Sequence, residues 1–253
     1  MVQLLPHEDS LDVHTIVVSD VHIGSPVSGA RALKHVLESL NYKKLVINGD
    51  ILDTLDFGSL DKHDWDLWHY LQDMTNPQHA KEIVWIRGNH DHLITRLWQE
   101  THHIDVLNEH EWSVGGNNFL AMHGDQFDDF WQRHMKLSFL IGDIYIYLQR
   151  FDTKDHRISE WVKKASNRWR KSAQRISSRF GEYVKGKNIH YALHGHTHIA
   201  GIEVAEHCTV INSGTWAARR CHYIAIDDKG TVSLREFDSK DFRVSTKRTI
   251  REE

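Results

Sequence analysis

Five short polar motifs follow one another along this chain: Asp20-Val21-His22, Gly49-Asp50, Gly88-Asn89-His90-Asp91, His123-Gly124-Asp125 and Gly195-His196-Thr197-His198. They offer carboxylate, amide and imidazole donors and no thiolate. Nitrogen and oxygen donors of this kind suit Mn²⁺, Fe or Zn²⁺ in an open site better than a closed structural zinc site. Asp50 has two carboxylate oxygens and so can bridge two cations. Paired cations activate water and clamp phosphate oxygens during in-line attack, so the chemistry indicated is phosphoester hydrolysis. Asp20 and His22 stand two apart, as do His196 and His198, and in an extended strand end each pair would project from one face. Singly the motifs prove little. Histidine is abundant, 21 of 253 residues, and Gly-Asp after an apolar run is an ordinary turn. The ordered series carries the reading.

The elements that must position these residues are short apolar runs. Thr15–Ser19, Leu45–Ile47, Glu82–Ile86 and Phe119–Met122 read as strands, and each leads into a motif. Helical spacing over Ala30–Leu40 and Trp65–Met74 fills the gaps, so the first half alternates strand and helix with polar groups at the strands' carboxyl ends. In open α/β sheets that edge is where ligands bind. The later strands, Tyr191–Leu193, Thr209–Ile211, Tyr223–Ile226 and Val232–Leu234, are joined by short turns such as Asp228-Lys229-Gly230 and predict antiparallel pairing.

The motif intervals locate an insertion. Asp20 to Asp50 spans 30 residues, Asp50 to Asn89 spans 39 and Asn89 to His123 spans 34, each close to one strand–helix–strand repeat. His123 to His196 spans 73. The excess predicts a helical cap over residues 127–187, with core segments 1–126 and 188–253. The first part of the cap is apolar and aromatic. The second places Ile158, Trp161, Ala165, Trp169, Ile176, Phe180 and Tyr183 at helical spacing.

Composition narrows the class. With 40% hydrophobic and 26% charged residues, the chain suits a globular core, and nothing approaches a membrane-spanning apolar run. The first twelve residues lack a basic start and a long apolar stretch, so no secretory signal is expected there. Two cysteines, Cys208 and Cys221, build no disulfide framework, and a cytoplasmic setting is expected. Net charge is −4, yet residues 127–187 hold fourteen Lys/Arg against seven Asp/Glu, a local balance of +7. That segregation suits an anionic substrate or peripheral contact with an anionic membrane face. The acidic remainder, and the lack of a recognisable nucleic-acid module, argue against a nuclease.

In order and content the five motifs resemble the calcineurin-like metallophosphoesterase superfamily, over roughly Thr15 to Leu234. The resemblance implies a layered αββα sandwich, an α/β fold here carrying the helical cap. It implies two divalent ions, manganese foremost with iron or zinc as alternatives. One would be held by Asp20, His22, Asp50 and His198, the other by Asp50, Asn89, His123 and His196. It also implies that His90 is the catalytic histidine near the leaving oxygen and that Asp53 orients it. Asp91 and Asp125 are expected to brace loops, and His194 to be a scaffold residue.

Within that superfamily the chain looks most like the branch of UDP-2,3-diacylglucosamine diphosphatases of lipid A biosynthesis. It shares their length, a cap at the same place, the run His123-Gly124-Asp125-Gln126-Phe127-Asp128 and the later Asn212-Ser213-Gly214-Thr215-Trp216. The branch implies cleavage of a nucleotide-linked glycolipid to UMP and lipid X. Cap residues Lys163, Lys164, Arg168, Arg170 and Lys171 would then meet phosphate groups. The chain departs from the branch at His90, where those enzymes carry arginine, and at Thr215, where they carry aspartate. A paralogous enzyme acting on another nucleotide, lipid or phosphoprotein therefore stands as the alternative. A non-catalytic scaffold is disfavoured because every expected ligand position is filled.

Overall fold

The computed structural model describes residues 13–53, 56–91, 95, 99, 105–128 and 156–250, and of 156–169 the backbone alone. Three strands open the chain: β1 (Val13–Val18), β2 (Tyr42–Asn48) and β3 (Glu82–Ile86). Each carries an unbroken apolar run, Ile16–Val18, Leu45–Ile47 and Ile83–Ile86, because both faces are covered there. Ile16, Val18, Leu45, Ile47 and Trp85 point to the helix side, while Val17, Val46, Val84 and Ile86 point to a second sheet. The period of two that separates these sets fixes the register, since a one-residue slip would exchange the two cores.

Helices α1 (Ala30–Ser39) and α2 (Lys62–Met74) cover the outer face with Leu33, Val36, Leu37, Leu67, Trp68 and Leu71. The expected start of α2 at Trp65 moves back to Lys62. Asp61 accepts from the backbone N–H groups of His63 and Asp64, and Asp64 returns the bond, a capping box that stabilises the first turn.

The first sheet runs β12-β11-β10-β1-β2-β3-β4, with β4 (Val106–Leu107), β10 (Arg220–Asp227), β11 (Val232–Asp238) and β12 (Arg243–Ile250). β1 to β4 are parallel, and β10 to β12 are antiparallel. The second sheet runs β5-β6-β7-β9-β8, from β5 (Glu109–Val114), β6 (Asn117–Met122), β7 (Tyr191–His194), β8 (Gly201–Val204) and β9 (Thr209–Asn212). Antiparallel pairing was expected throughout the second half. It holds for β10–β12 but not for β7 and β9, which run parallel to β6. The long passage from β6 to β7 is a crossover, the connection that parallel strands require.

Helix α3 (His156–Tyr183) belongs to that crossover. Its later turns place Phe180, followed by Val184, against Leu120, Met122, Ala192 and Val210 on the outer face of the second sheet. The layers are therefore helices, sheet, sheet, helix. Of the expected cap segment, 170–187 is packed on this sheet. The apolar stretch 130–148 and the side chains of Lys163, Lys164 and Arg168 lie outside the described residues. Among the described residues no helix is long and apolar enough to cross a membrane.

Candidate metal centre

The ends of β1, β2, β3, β6 and β7 converge at one edge of the sandwich, and each carries a motif. The backbone there is unusual. Among the described residues, seven non-glycine positions have positive φ, and five of them are Asp20 (54°), His22 (52°), Asp50 (54°), His196 (65°) and His198 (58°). The left-handed region disfavours side chains with Cβ, and such residues cost of order 1–3 kcal/mol each where the surroundings enforce them. Asp20 and His22 thus do not share the face of an extended strand end, as their spacing suggested. β1 stops at Val18, and two left-handed residues with buried Val21 between them turn the chain sharply. His196 and His198 repeat the arrangement after β7.

Three histidines are held from behind by acceptors. His22 donates from Nδ1 to Asp53 Oδ1 at 3.0 Å. His123 donates from Nδ1 to the Asn48 carbonyl at 2.9 Å, and His196 from Nε2 to Asp128 Oδ2 at 3.1 Å. Each bond favours a proton on the outer ring nitrogen and aims the other nitrogen inward, where its lone pair becomes available once the ring is neutral. The inward atoms then face other acceptors. His123 Nε2 stands 3.1 Å from Asn89 Oδ1 and 3.3 Å from Asp50 Oδ2, and His196 Nδ1 is 2.9 Å from Asn89 Oδ1. On the other side His22 Nε2 lies 3.2 Å from His198 Nε2, which lies 3.1 Å from Asp20 Oδ1. Asp20 Oδ1 is buried, facing His198 Nε2. Nitrogen and oxygen donors gathered about 3 Å apart around one point are what a divalent cation would require. Two clusters of converging acceptors fit two cations.

The carboxylates are locked as tightly. Asp50 Oδ1 accepts the His90 N–H at 2.8 Å, and Asp20 Oδ2 accepts the His196 N–H at 3.1 Å. Asp91, fully buried, accepts from the backbone N–H groups of Asp50 (2.8 Å), Gly88 (2.9 Å) and Ile51 (3.2 Å), with Leu52 N and Trp85 Nε1 at 3.5 Å. One carboxylate thus ties the loop after β3 to the loop after β2. Gly88 allows this approach, because a Cβ there would lie 2.2 Å from Asp50 Oδ1.

Electrostatics follow from burial and proximity. Burial alone would raise Asp50, but the charges of His123 and then His90 hold it well below the usual carboxylate range. Asp20 is lowered in the same way, through His198. Burial would lower His22, yet the Asp53 hydrogen bond and then the Asp50 and Asp20 charges raise it to about 9. His123 is raised well above its ordinary value, the Asp50 charge outweighing burial. His90 goes the other way, pushed down chiefly by burial. Burial, then the charge of Asp50, pushes Asp91 up to about 6, which leaves it ionised at neutral pH.

All seven donors expected from the sequence, Asp20, His22, Asp50, Asn89, His123, His196 and His198, lie in these two clusters. His90 sits at their rim, its Nδ1 3.6 Å from Asp53 Oδ1, and with His22 and Asp53 it forms a third group whose donor atoms lie within 4.8 Å of one another. Asp53 was expected to orient His90, and its shorter bond goes to His22. The site opens to solvent along His198, Asp53 and His90, whose side chains are 36%, 22% and 18% exposed. Arg170 and Lys171 are exposed on α3. His194 is internal, bonded to Ser177 Oγ at 3.0 Å. Sequence reasoning missed Asp128 as a partner of His196 and Asn48 as a partner of His123. The polar Asn48 at the end of an apolar run was the one visible hint.

A family model described as calcineurin-like phosphoesterase matches residues 13–200. No curated protein sequence matches the chain. Among solved structures the chain is similar to Vacuolar Protein Sorting 29 from Cryptosporidium parvum, at 13% identity and a TM-score of 0.53 over 96% of this chain and all of that one. It is similar to Yfce, a phosphoesterase from E. coli, at 14% identity and 0.51 over 93% and 97%. A single mutant of Vps29 from Entamoeba histolytica gives 12% and 0.51 over 94% and 99%. At these identities the likeness is one of fold.

Proposed function

The chain belongs to the calcineurin-like phosphoesterase family, a metal-dependent hydrolase family, and on that premise we propose how its residues divide the work and which phosphoester they cleave. Asp20, His22, Asp50 and His198 hold one ion. Asp50, Asn89, His123 and His196 hold the other, with Asp50 shared. When bound, the ions supply Lewis acidity toward phosphate oxygens and acidify the attacking water. The protein does the rest. Hydrogen bonds behind His22, His123 and His196 keep the lone pairs inward, and Asp91 keeps Asp50 and Asn89 together. His90, at the solvent rim beside His22 and Asp53, donates a proton or hydrogen bond to the leaving oxygen as the bond to phosphorus breaks. The convergence of acceptors on two points is the observation that carries this reading.

The substrate we favour is UDP-2,3-diacylglucosamine, cleaved at the α-phosphorus to UMP and lipid X. Support comes from the His123–Asp128 and Asn212–Trp216 runs, the length of the chain and the basic segment 127–187, of which Arg170 and Lys171 are exposed. Manganese is the favoured ion, and the acyl chains imply work at a membrane surface. His90 favours the second reading, a paralogous enzyme with another phosphoester substrate. Thr215 leaves both readings open. It is buried, with its Oγ1 donating to the Asp20 carbonyl at 2.9 Å and accepting from Ala217 N at 3.0 Å, so it braces the Asp20 loop.

The test is to supply metal-free protein with Mn²⁺ and present UDP-2,3-diacylglucosamine beside a panel of simple aryl phosphodiesters. Metal-dependent release of UMP supports the lipid substrate. Turnover of the simple diesters alone supports the paralogue. Full activity without metal overturns the two-ion mechanism.

A further inference from the structure

The chain after His123 bends back into the centre before it leaves the second sheet. Asp125–Phe127 form a single 3₁₀ turn, and the next residue, Asp128, places Oδ2 3.1 Å from His196 Nε2. Phe127 is clamped at its base. Its ring stacks on Phe180 with centroids 5.2 Å apart, and its carbonyl accepts from Arg179 Nη1 at 2.9 Å. The same helix face carries Ser177, bonded to His194. α3 therefore grips both the turn before Asp128 and the strand before His196.

We propose that Asp128 is a positioning residue for one of the two ions, the one assigned above to Asp50, Asn89, His123 and His196; the proposal rests on that assignment. A carboxylate beside Nε2 accepts its proton and leaves the lone pair on Nδ1, 2.9 Å from Asn89 Oδ1. Without the carboxylate the Nε2–H form loses this support, and a ring protonated on Nδ1 donates to Asn89 and blocks the ion. A charged acceptor also makes the imidazole a stronger donor toward metal, and such partners typically change metal affinity about 10–100-fold. His22 has its own carboxylate, Asp53, on the opposite side. Loss of Asp128 therefore acts on one ion and spares the other. Because α3 holds the turn that carries Asp128, its packing helps to place this carboxylate beside His196.

The test is a Zn²⁺ titration of metal-free full-length protein, followed by calorimetry and by the histidine ring nitrogens in NMR. Wild type should bind two ions, one shifting the His22 and His198 rings and one shifting His123 and His196. In Asp128→Ala the second should weaken 10–100-fold with the first unchanged, and the His196 tautomer should move toward Nδ1–H. Asp128→Asn keeps the shape and a neutral acceptor, so it guards against misfolding and should weaken the same ion by a smaller factor. Unchanged binding in both variants, or equal weakening of both ions, overturns the proposal for Asp128. Fewer than two ions in wild type would instead overturn the two-ion assignment beneath it.

Discussion

The Nδ1–H of His123, at the end of β6, donates to the carbonyl of Asn48, at the end of β2, across the seam between the two sheets. The Asn48 side chain crosses too, donating from Nδ2 to the Met122 carbonyl at 3.0 Å. The centre is therefore assembled on backbone groups of both sheets. Its geometry depends on residues that touch no ion, and several predictions separate these from the donors.

Asp50→Ala should abolish binding of both ions, since the proposed assignment shares this carboxylate between them, and turnover should go with it. His90→Ala should keep both ions and lower kcat by about 10²–10⁴-fold, the usual worth of a positioned acid. Elemental analysis beside steady-state kinetics checks both. Metal loss in the His90 variant would falsify its role at the leaving oxygen.

Gly88→Ala should damage the centre without removing a donor. The new Cβ would lie 2.2 Å from Asp50 Oδ1 and 2.3 Å from Asp50 N, distances that force the bridging carboxylate to move. Loss of metal comparable to Asp50→Ala is expected. A variant with wild-type metal content would show that the two loops can part at no cost.

Asp91→Asn should destabilise the fold. The amide nitrogen cannot accept, so at least one of the buried N–H groups of Asp50, Gly88 and Ile51 is left unsatisfied, at roughly 1–3 kcal/mol each. For a chain of this size that lowers Tm by about 2–4 °C per kcal/mol. The drop should be present in metal-free protein, because the bonds do not involve an ion. A loss of Tm confined to the metal-loaded form would contradict the bracing role.

Removing the ions should make stability depend on pH in a defined window. His22, at about 9 in the folded chain against 6.5 ordinarily, contributes stability that is full below pH 6.5 and is lost as pH rises toward 9. The size is about 3 kcal/mol. Asp20 and Asp50, both lowered, act at the other end: their contribution is present above 3.8 and lost as pH falls below it. Chelated protein should therefore melt at a falling temperature from pH 6.5 to 9, and bound ions should flatten the slope by displacing the His22 proton. Thermal melts with and without chelator decide the matter. A flat profile in the chelated protein rejects it.

Much of this was legible in the sequence. β2 and β3 announced themselves because strands covered on both faces must be apolar throughout, and the motifs stood out because each ends such a run. β12 did not, since Arg243–Ile250 exposes seven of its eight residues and is held by the ladder to β11 alone, with no burial to pattern it. β8 is four residues long and edge-placed, too short for a period to register. The seven donors could be picked out by type and order. Their left-handed backbones could not, because glycine is the residue that signals positive φ and none of the five positions is glycine. The pairing of Asp128 with His196 crosses 68 residues, beyond any local pattern.

The donors divide by sheet. Asp20, His22, Asp50 and Asn89 follow strands of the first, and His123, His196 and His198 follow strands of the second. Each proposed ion thus takes ligands from both, and acts as a cross-link between two halves that otherwise meet through apolar contact and a few hydrogen bonds, those of Asn48, His123 and Asp20 among them. Such a cross-link draws its strength from the solution. At one hundred times the dissociation constant it adds about 2.7 kcal/mol to the folded state, and at low metal it adds nothing. The rigidity of the seam should therefore rise with the metal supply of the surroundings. Hydrogen exchange along the facing strands β6 and β2 should quicken on chelation, while the outer ladder of β10 to β12, remote from any donor, should not notice.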